Sequence, residues 1–295
     1  CLFTTDPTTT ESRNIYDPLS AGIPLTLNDL HSNSKMRGTE HTFQADYTTP
    51  LSKNQTLNAG AKFIGRRNTS DSKFYNIING KEVFDSNNSV NYKNTQSILA
   101  SYIEYKLTLG KFSAKAGARY EHTWENVEFI LGKGDDFKKN YGNLVPSASF
   151  TYNIGAAVNV GVNYNMRISR PGISFLNPYI DRSTPTVLTY GNPNLDVEES
   201  HKVNLVFNAF TPKFMINLTL GEAFANNQIE QYSFMDANGI LNTTYGNIVR
   251  SRWTNFNTFI NYSLTPNTRI FLNGGFDYGE MRSAQISHKK HDQHD

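Results

Sequence analysis

Along about seven stretches of this chain, apolar and polar residues alternate strictly for about ten positions each. Residues 112–124 are the clearest case. Phe112, Ala114, Ala116, Ala118, Tyr120, His122 and Trp124 share one face of an extended strand, and Ser113, Lys115, Gly117, Arg119, Glu121 and Thr123 share the other, because side chains in a strand point alternately up and down. The division recurs at Leu57, Ala59, Ala61 and Phe63, at Val158, Val160, Val162 and Tyr164, and from Val203 to Ala209. Further copies are Phe214, Ile216, Leu218 and Leu220, then Phe256, Ile260, Tyr262 and Leu264, then Ile270, Leu272, Phe276 and Tyr278. One such face suits hydrocarbon and the other requires water. A tilted strand needs about 9 to 11 residues to cross a bilayer, whereas strands of soluble proteins average about 5 to 6. The pattern therefore predicts strands that cross a membrane.

Composition agrees once the right reference is used. A mean hydropathy of -0.52 and the lack of any run of about 18 apolar residues exclude transmembrane helices. A β-barrel wall hides its hydrophobicity, since only alternate residues meet lipid. Many of the 16 Tyr, 19 Phe and 2 Trp stand near the ends of the alternating segments, where interfacial girdles form. A formal charge of +2, with Lys and Arg scattered, argues against a nucleic-acid partner. Cys1 is the single cysteine, which leaves no intrachain disulfide and no thiolate metal site.

Three regions are expected: an irregular segment at 1–38 rich in Pro, Thr and Asn, a barrel portion at 39–284, and a polar, His-rich tail at 285–295. Within the middle region short connections (50–55, 110–111, 153–156, 211–213, 265–267) take turns with long ones (70–94, 131–143, 169–196, 226–246 and the segment after Gly279). Tight turns at one end and long loops at the other are the layout of an outer-membrane barrel, with the loops outside. The expected fold is thus all-β, an antiparallel transmembrane β-barrel with about ten strands visible. A soluble antiparallel sandwich also alternates, but its loops are not sorted by length.

Candidate chemistry is sparse. The seven His (His31, His41, His122, His201, His288, His291 and His294) are dispersed, so no nucleophile and base are paired by spacing. His288, His291 and His294 recur every third residue, a pattern that binds zinc or nickel in some His-rich tracts, yet here it sits in a short, fully polar tail. No phosphate loop or calcium loop motif is present, and neither a cofactor nor a metal is expected. The water-side faces are more informative. Lys62, Lys115, Arg119, Glu121, Glu125, Arg167 and Asp277 are predicted to face the lumen, since Arg or Lys on the lipid side at midplane costs about 2–4 kcal/mol.

The segment Arg167-Ile168-Ser169-Arg170-Pro171, followed by Phe175-Leu176-Asn177-Pro178-Tyr179 and Gly191-Asn192-Pro193-Asn194-Leu195, resembles the TonB-dependent receptors of Bacteroidetes outer membranes and, more narrowly, the outer-membrane β-barrel group related to them. Glu198 and Glu199 match the acidic stretch that follows in that family. Read physically, Pro171, Pro178, Pro185 and Pro193 prevent continuation as a strand, and Gly191-Asn192-Pro193-Asn194 is turn chemistry. The segment is then either a rigid outer loop or a loop whose Arg170, Asn177, Tyr179, Asn192 and Asn194 contact a ligand. Receptors of this type have about 22 strands and an internal plug, so the resemblance implies a piece of a larger barrel, or a truncated or divergent member of the family. It further implies energised import of a scarce solute, such as a glycan fragment, peptide, metal chelate or cobalamin. The implied partners are the lipid bilayer, the solute, the TonB complex acting through a plug outside this chain, and a surface lipoprotein. A passive porin-like or structural barrel and a soluble adhesin-like β protein are the rival readings.

Overall fold

The computed structural model describes residues 2–14, 29–132, 134–178, 181–184, 187–237, 239–283 and 287–288. Its strands are β1 (Leu2–Asn14), β2 (Asp29–Ser52), β3 (Gln55–Ile78), β4 (Lys81–Leu109), β5 (Phe112–Leu131), β6 (Phe137–Asn153), β7 (Val158–Ser169), β8 (Asp181–Thr184), β9 (Val187–Thr189), β10 (Glu198–Phe210), β11 (Phe214–Met235), β12 (Leu241–Thr265), β13 (Thr268–Ser283) and β14 (Ser287–His288), with one helical turn, α1 (Ile173–Leu176). They form a single 14-stranded sheet in which the long strands follow chain order from β1 to β7, then β10 to β14. Every pairing is antiparallel except β9 with β12. Among the described residues the two ends of the sheet, β1 and β13–β14, do not pair with each other.

Register turns the alternation of single strands into two continuous faces. Phe43 lies opposite Phe63, Phe63 opposite Leu99, and Leu99 opposite His122. Lower down, Leu107 meets Ala114, Ala114 meets Phe150, and Phe150 meets Val162. The same face runs on through Leu205, Leu220, Phe256 and Phe276. These residues are exposed: Phe112 and Tyr120 each at 48% and Phe276 at 51%. Val160 and Leu218 sit on this face as well, partly exposed. No second sheet or helical layer covers it among the described residues, which removes the soluble sandwich reading. From Phe112 to Trp124 the apolar face extends about 40 Å along β5, or about 28 Å of height at the usual strand tilt, the thickness of a hydrocarbon core. A furrow of about 360 Å³ crosses it, floored by Ala114, Ala116 and Ala148 and rimmed by Leu107, Phe150 and Val162.

The short connections fall where expected, at 53–54, 110–111, 154–157, 211–213 and 266–267. The long ones are corrected. Residues 70–94 are mostly strand, because β3 and β4 continue as one hairpin to a two-residue turn at Asn79 (φ 52) and Gly80 (φ 74). Asn-Gly at such a turn accommodates two positive φ angles. Residues 226–246 are likewise strand apart from a tip at 236–240, and the gap between β5 and β6 shrinks to 132–136. Once the strands rise above lipid both faces meet water, so alternation vanishes while the backbone ladder continues. The same reasoning corrects the irregular reading of 1–38: β1 and the start of β2 pair along their length, with Pro7 on an edge strand, where its missing donor is tolerated. The strand total accordingly exceeds the expected ten. Of the C-terminal tail, Ser287–His288 forms β14; His291 and His294 lie outside the described residues.

Candidate functional site

The second face of the sheet carries the polar groups. Lys62 stands opposite Gln44 and Ala100, Ala100 opposite Glu121, and Glu121 opposite Asn143. Lys115, Asn163, Asn204, Gly221, Asn255 and Asp277 share that face through successive ladders. Lys115 pairs with Glu104 at 3.0 Å. Arg119 and Arg167, with Glu104, Ser147 and Asn165, line a hollow of about 400 Å³. Arg167 is exposed there and carries no ion pair among the described residues.

The segment between β7 and β10 folds over this face. Pro146 marks where it begins: β6 and β7 pair from Asn153 up to Ser147 and no further. Proline has no N–H for the next ladder position. Past that seam the chain crosses inward and Arg170 reaches β5, donating from Nη2 to Glu121 Oε2 at 2.6 Å and from Nε to Thr123 Oγ1 at 2.9 Å. Glu121 also accepts from Arg119 Nε at 2.7 Å. Two guanidinium groups thus hold one carboxylate, and the side chains of Arg170 and Glu121 are only 18% and 11% exposed. Charge-assisted hydrogen bonds of this kind are the strong ones.

Farther from the periplasmic turns than the Arg170 anchor, the loop buries its own small core. Leu176 (0% exposed) and Leu195 (1%) pack with Val127 and Phe137 of the wall, and Phe175 lies against Tyr245 with ring centroids 4.6 Å apart. Two backbone bonds close the loop on itself: Gly191 N donates to Asn177 O at 2.8 Å and Asn192 N to Phe175 O at 2.6 Å. A Cβ on Gly191 would lie 2.5 Å from Asn177 O and 2.7 Å from Phe175 O, so only glycine permits this approach.

Asparagines pin the loop to the β11–β12 hairpin. Asn192 Nδ2 donates to Tyr245 O at 3.0 Å, while its Oδ1 accepts Asn194 N at 2.9 Å. Asn247 binds both Asp196 N at 2.9 Å and Asp196 O at 3.1 Å, and Asn227 Nδ2 donates to Val197 O at 2.8 Å. Tyr190 N donates to Thr243 O at 3.1 Å, extending the short parallel pairing of β9 with β12. Asn177 Oδ1 accepts Asp135 N at 3.4 Å. Of the five loop residues read as ligand contacts, Arg170, Asn177 and Asn192 therefore spend polar groups on fastening the loop. Asn194 leaves an exposed side chain, and Tyr179 lies outside the described residues. Sequence reasoning missed Thr123, Asn227, Tyr245 and Asn247, because their partners are about 20 to 50 positions away and no local pattern links them.

Among the described residues the histidines do not gather into a site. His122 lies on the apolar face with its ring 4.3 Å from Trp124, and His201 stacks on Phe224 at 5.0 Å. Among the described residues no group of three His, Cys, Asp or Glu is arranged to hold a metal.

An all-strand wall with an apolar exterior and a polar interior agrees with comparison to known families, since the model of the outer membrane protein beta-barrel family matches residues 5–294. The chain belongs to that family. Its place is the outer membrane, and its sheet is the wall of an antiparallel β-barrel. Solved structures show the same fold. The ferric citrate transporter FecA in its unliganded form is 14% identical with a TM-score of 0.61, the match covering 96% of this chain and 40% of that one. The copper transporter OprC is 11% identical with a TM-score of 0.68, covering 97% and 44%. The Serratia marcescens hemophore receptor HasR, solved with its hemophore HasA and heme, is 12% identical with a TM-score of 0.59, covering 95% and 48%. At these identities the likeness is one of fold, and the chain spans less than half the length of each. No curated protein matches the sequence.

Proposed function

We propose that this chain forms part of the wall of a TonB-dependent receptor that imports a scarce solute, of the glycan-fragment, peptide, metal-chelate or cobalamin class. The observation that carries the reading is the inward-docked loop. That segment is fastened to the inner wall by a part-buried Arg170–Glu121 pair and a Leu176–Leu195 core. A receptor needs such rigidity, because a preorganised rim loses less entropy when a ligand binds. The mixed charges of the inner wall, with Arg119 and Arg167 beside Glu104, supply hydrogen-bonding groups for a plug or for passing solute. Arg167 and Asn194 are the exposed candidates for contact. The implied partners are the TonB complex acting through a plug outside this chain, the solute, and a surface lipoprotein that hands the solute on. No covalent chemistry is assigned to the wall.

The test uses the full-length protein in its own cell. A deletion strain and its complemented parent are compared for uptake of labelled cyanocobalamin, ferric citrate, an oligosaccharide and a short peptide, each with and without a protonophore. Energised import predicts that one class depends on the gene and stops when the protonophore is added. Gene-dependent entry that ignores the protonophore would make the protein a passive porin instead.

A further inference from the structure

The wall is not hydrogen-bonded evenly along its height. The β6–β7 ladder stops at Ser147 opposite Asn165, whereas β5 pairs with β6 as far as Val127 and Phe137, and β7 with β10 as far as Ser169 and Glu198. Pro146, the next residue of β6, faces Ala118 of β5, so the ladder parts near the middle of the lipid-facing band. From Ala118 up to Trp124 is about 20 Å of strand, and the seam therefore opens toward the extracellular half of the bilayer. Within hydrocarbon an unpaired strand edge is tolerated only where it is covered or lines a water-filled cavity. Elsewhere in the band a lateral opening would first have to break ladder bonds; here it would not.

Two hollows meet at this seam, on the same four strands and at successive heights. Outside, the apolar furrow of Leu107, Ala116, Phe150 and Val162 runs up to Ala148 and Tyr164, the rung directly beneath Ser147 and Asn165. Inside, the hollow of about 400 Å³ starts at Ser147 and Asn165 and reaches Arg119 and Arg167. It also touches Pro146 and Met166, which have the parity of the exterior face. Val145 on one edge of the seam and Met166 on the other are only 6% and 8% exposed, so side chains rather than backbone bonds close it. Methionine is unbranched with three rotatable bonds and repacks readily.

Charge selects what could lie across the seam. Lys115 is matched by Glu104 at 3.0 Å and Arg119 by Glu121 at 2.7 Å, with Glu121 shared by Arg170. Arg167 is exposed and carries no ion pair among the described residues. A free guanidinium in a wet hollow, one rung from an apolar furrow, complements an anionic head on a greasy tail, and its fork fits a carboxylate in bidentate fashion. We infer that the β6–β7 seam is a lateral portal for a long-chain carboxylate, whose head binds Arg167 inside the wall and whose chain passes between Pro146 and Met166 into the furrow outside. The inference does not rest on energised import or on the solute that such import would carry.

The experiment places the full-length protein in lipid vesicles with two photoactivatable hexadecanoates, one carrying its diazirine beside the carboxylate and the other at the chain end, and maps the labelled residues by mass spectrometry. The first probe is expected at Ser147, Asn165 and Arg167, the second at Ala148, Phe150 and Val162. R167Q should lower labelling by the first probe about tenfold, the worth of a hydrogen bond to a charged group, and photoactivatable hexadecanol should label the parent no better than the hexadecanoate labels R167Q. A148W, which fills the furrow, should displace the second probe, whereas A61W, a like change on the lipid-facing side of β3, should not. A heat-modifiable gel shift reports folding, and R167Q with the parent's label map decides if A148W fails to show it. The inference is overturned if the first probe labels only exterior residues, or if R167Q is labelled at the parental level. It is equally overturned if the second probe spreads evenly over the lipid-facing strands, as ordinary bilayer lipid would.

Discussion

Gly191 shows how much of this protein rests on single residues. Its missing side chain lets two carbonyls, those of Phe175 and Asn177, approach within bonding reach of residues 191 and 192. Gly191→Ala should loosen the loop by about 1–3 kcal/mol through overpacking, seen as faster hydrogen exchange at 173–177 and 191–195 with the wall strands unchanged. The carboxylate of Glu121 is the second such residue. Glu121→Ala leaves Arg170 without its anion in a largely buried place, an expected loss of about 2–3 kcal/mol. By contrast Lys115→Gln, which removes an ion pair whose lysine is 46% exposed, should change stability by less than about 1 kcal/mol. Urea titrations of the full-length protein in detergent compare the two; equal losses would mean that the Arg170 anchor is no stronger than an exposed pair. The importance of Thr123 and Glu121 was half legible: Glu121 belongs to the inner face by parity alone, but its bond to Arg170 spans 49 positions and no period reports it.

At the scale of the element, the hairpin of β3 and β4 combines two local devices. Its tip is the Asn79–Gly80 turn, and a few residues below it β4 bulges between Asp85 and Val90 opposite Ser72 and Phe74. The bulge is held by Asp85, whose carboxylate accepts Asn88 Nδ2 at 2.7 Å, Asn87 N at 3.0 Å and Asn76 Nδ2 at 3.2 Å. Ser89, fully buried, bonds Asp85 O and accepts Phe74 N. These donors, the Asn88 side chain above all, hold the Asp85 carboxyl below the usual carboxylate range. A depressed folded value means that the stabilisation is fully present at neutral pH and is lost as pH falls below the ordinary carboxylate pKa of about 4. Hydrogen exchange at 85–90 should therefore accelerate, relative to the intrinsic rate, as pH falls below about 4. In Asp85→Asn that acid-dependent step should be absent, and its persistence would assign the step to another group. The Asn-Gly pair was a readable hairpin signal, but polar composition on both sides concealed the strands it joins. Above the lipid, water bathes both faces and nothing enforces alternation.

At the scale of the whole molecule, the membrane decides which face tolerates what. Ala118 sits near the middle of the apolar face on β5, opposite Ile103 and Pro146. Ala118→Arg should cost about 2–4 kcal/mol, whereas Asn163→Lys on the inner face should be tolerated. Folding yield into vesicles, read by heat-modifiable mobility, measures the difference, and equal yields would contradict the assignment of faces. Period two was enough to assign those faces, because a strand has no other way to place its side chains and a bilayer penalises the wrong one. The tight periplasmic turns were legible for a similar local reason. Which polar stretches become strands, which loop turns inward, and which cations find a carboxylate were settled only in three dimensions. Those outcomes depend on ladders and contacts between residues tens of positions apart, whose energies no short window of sequence contains.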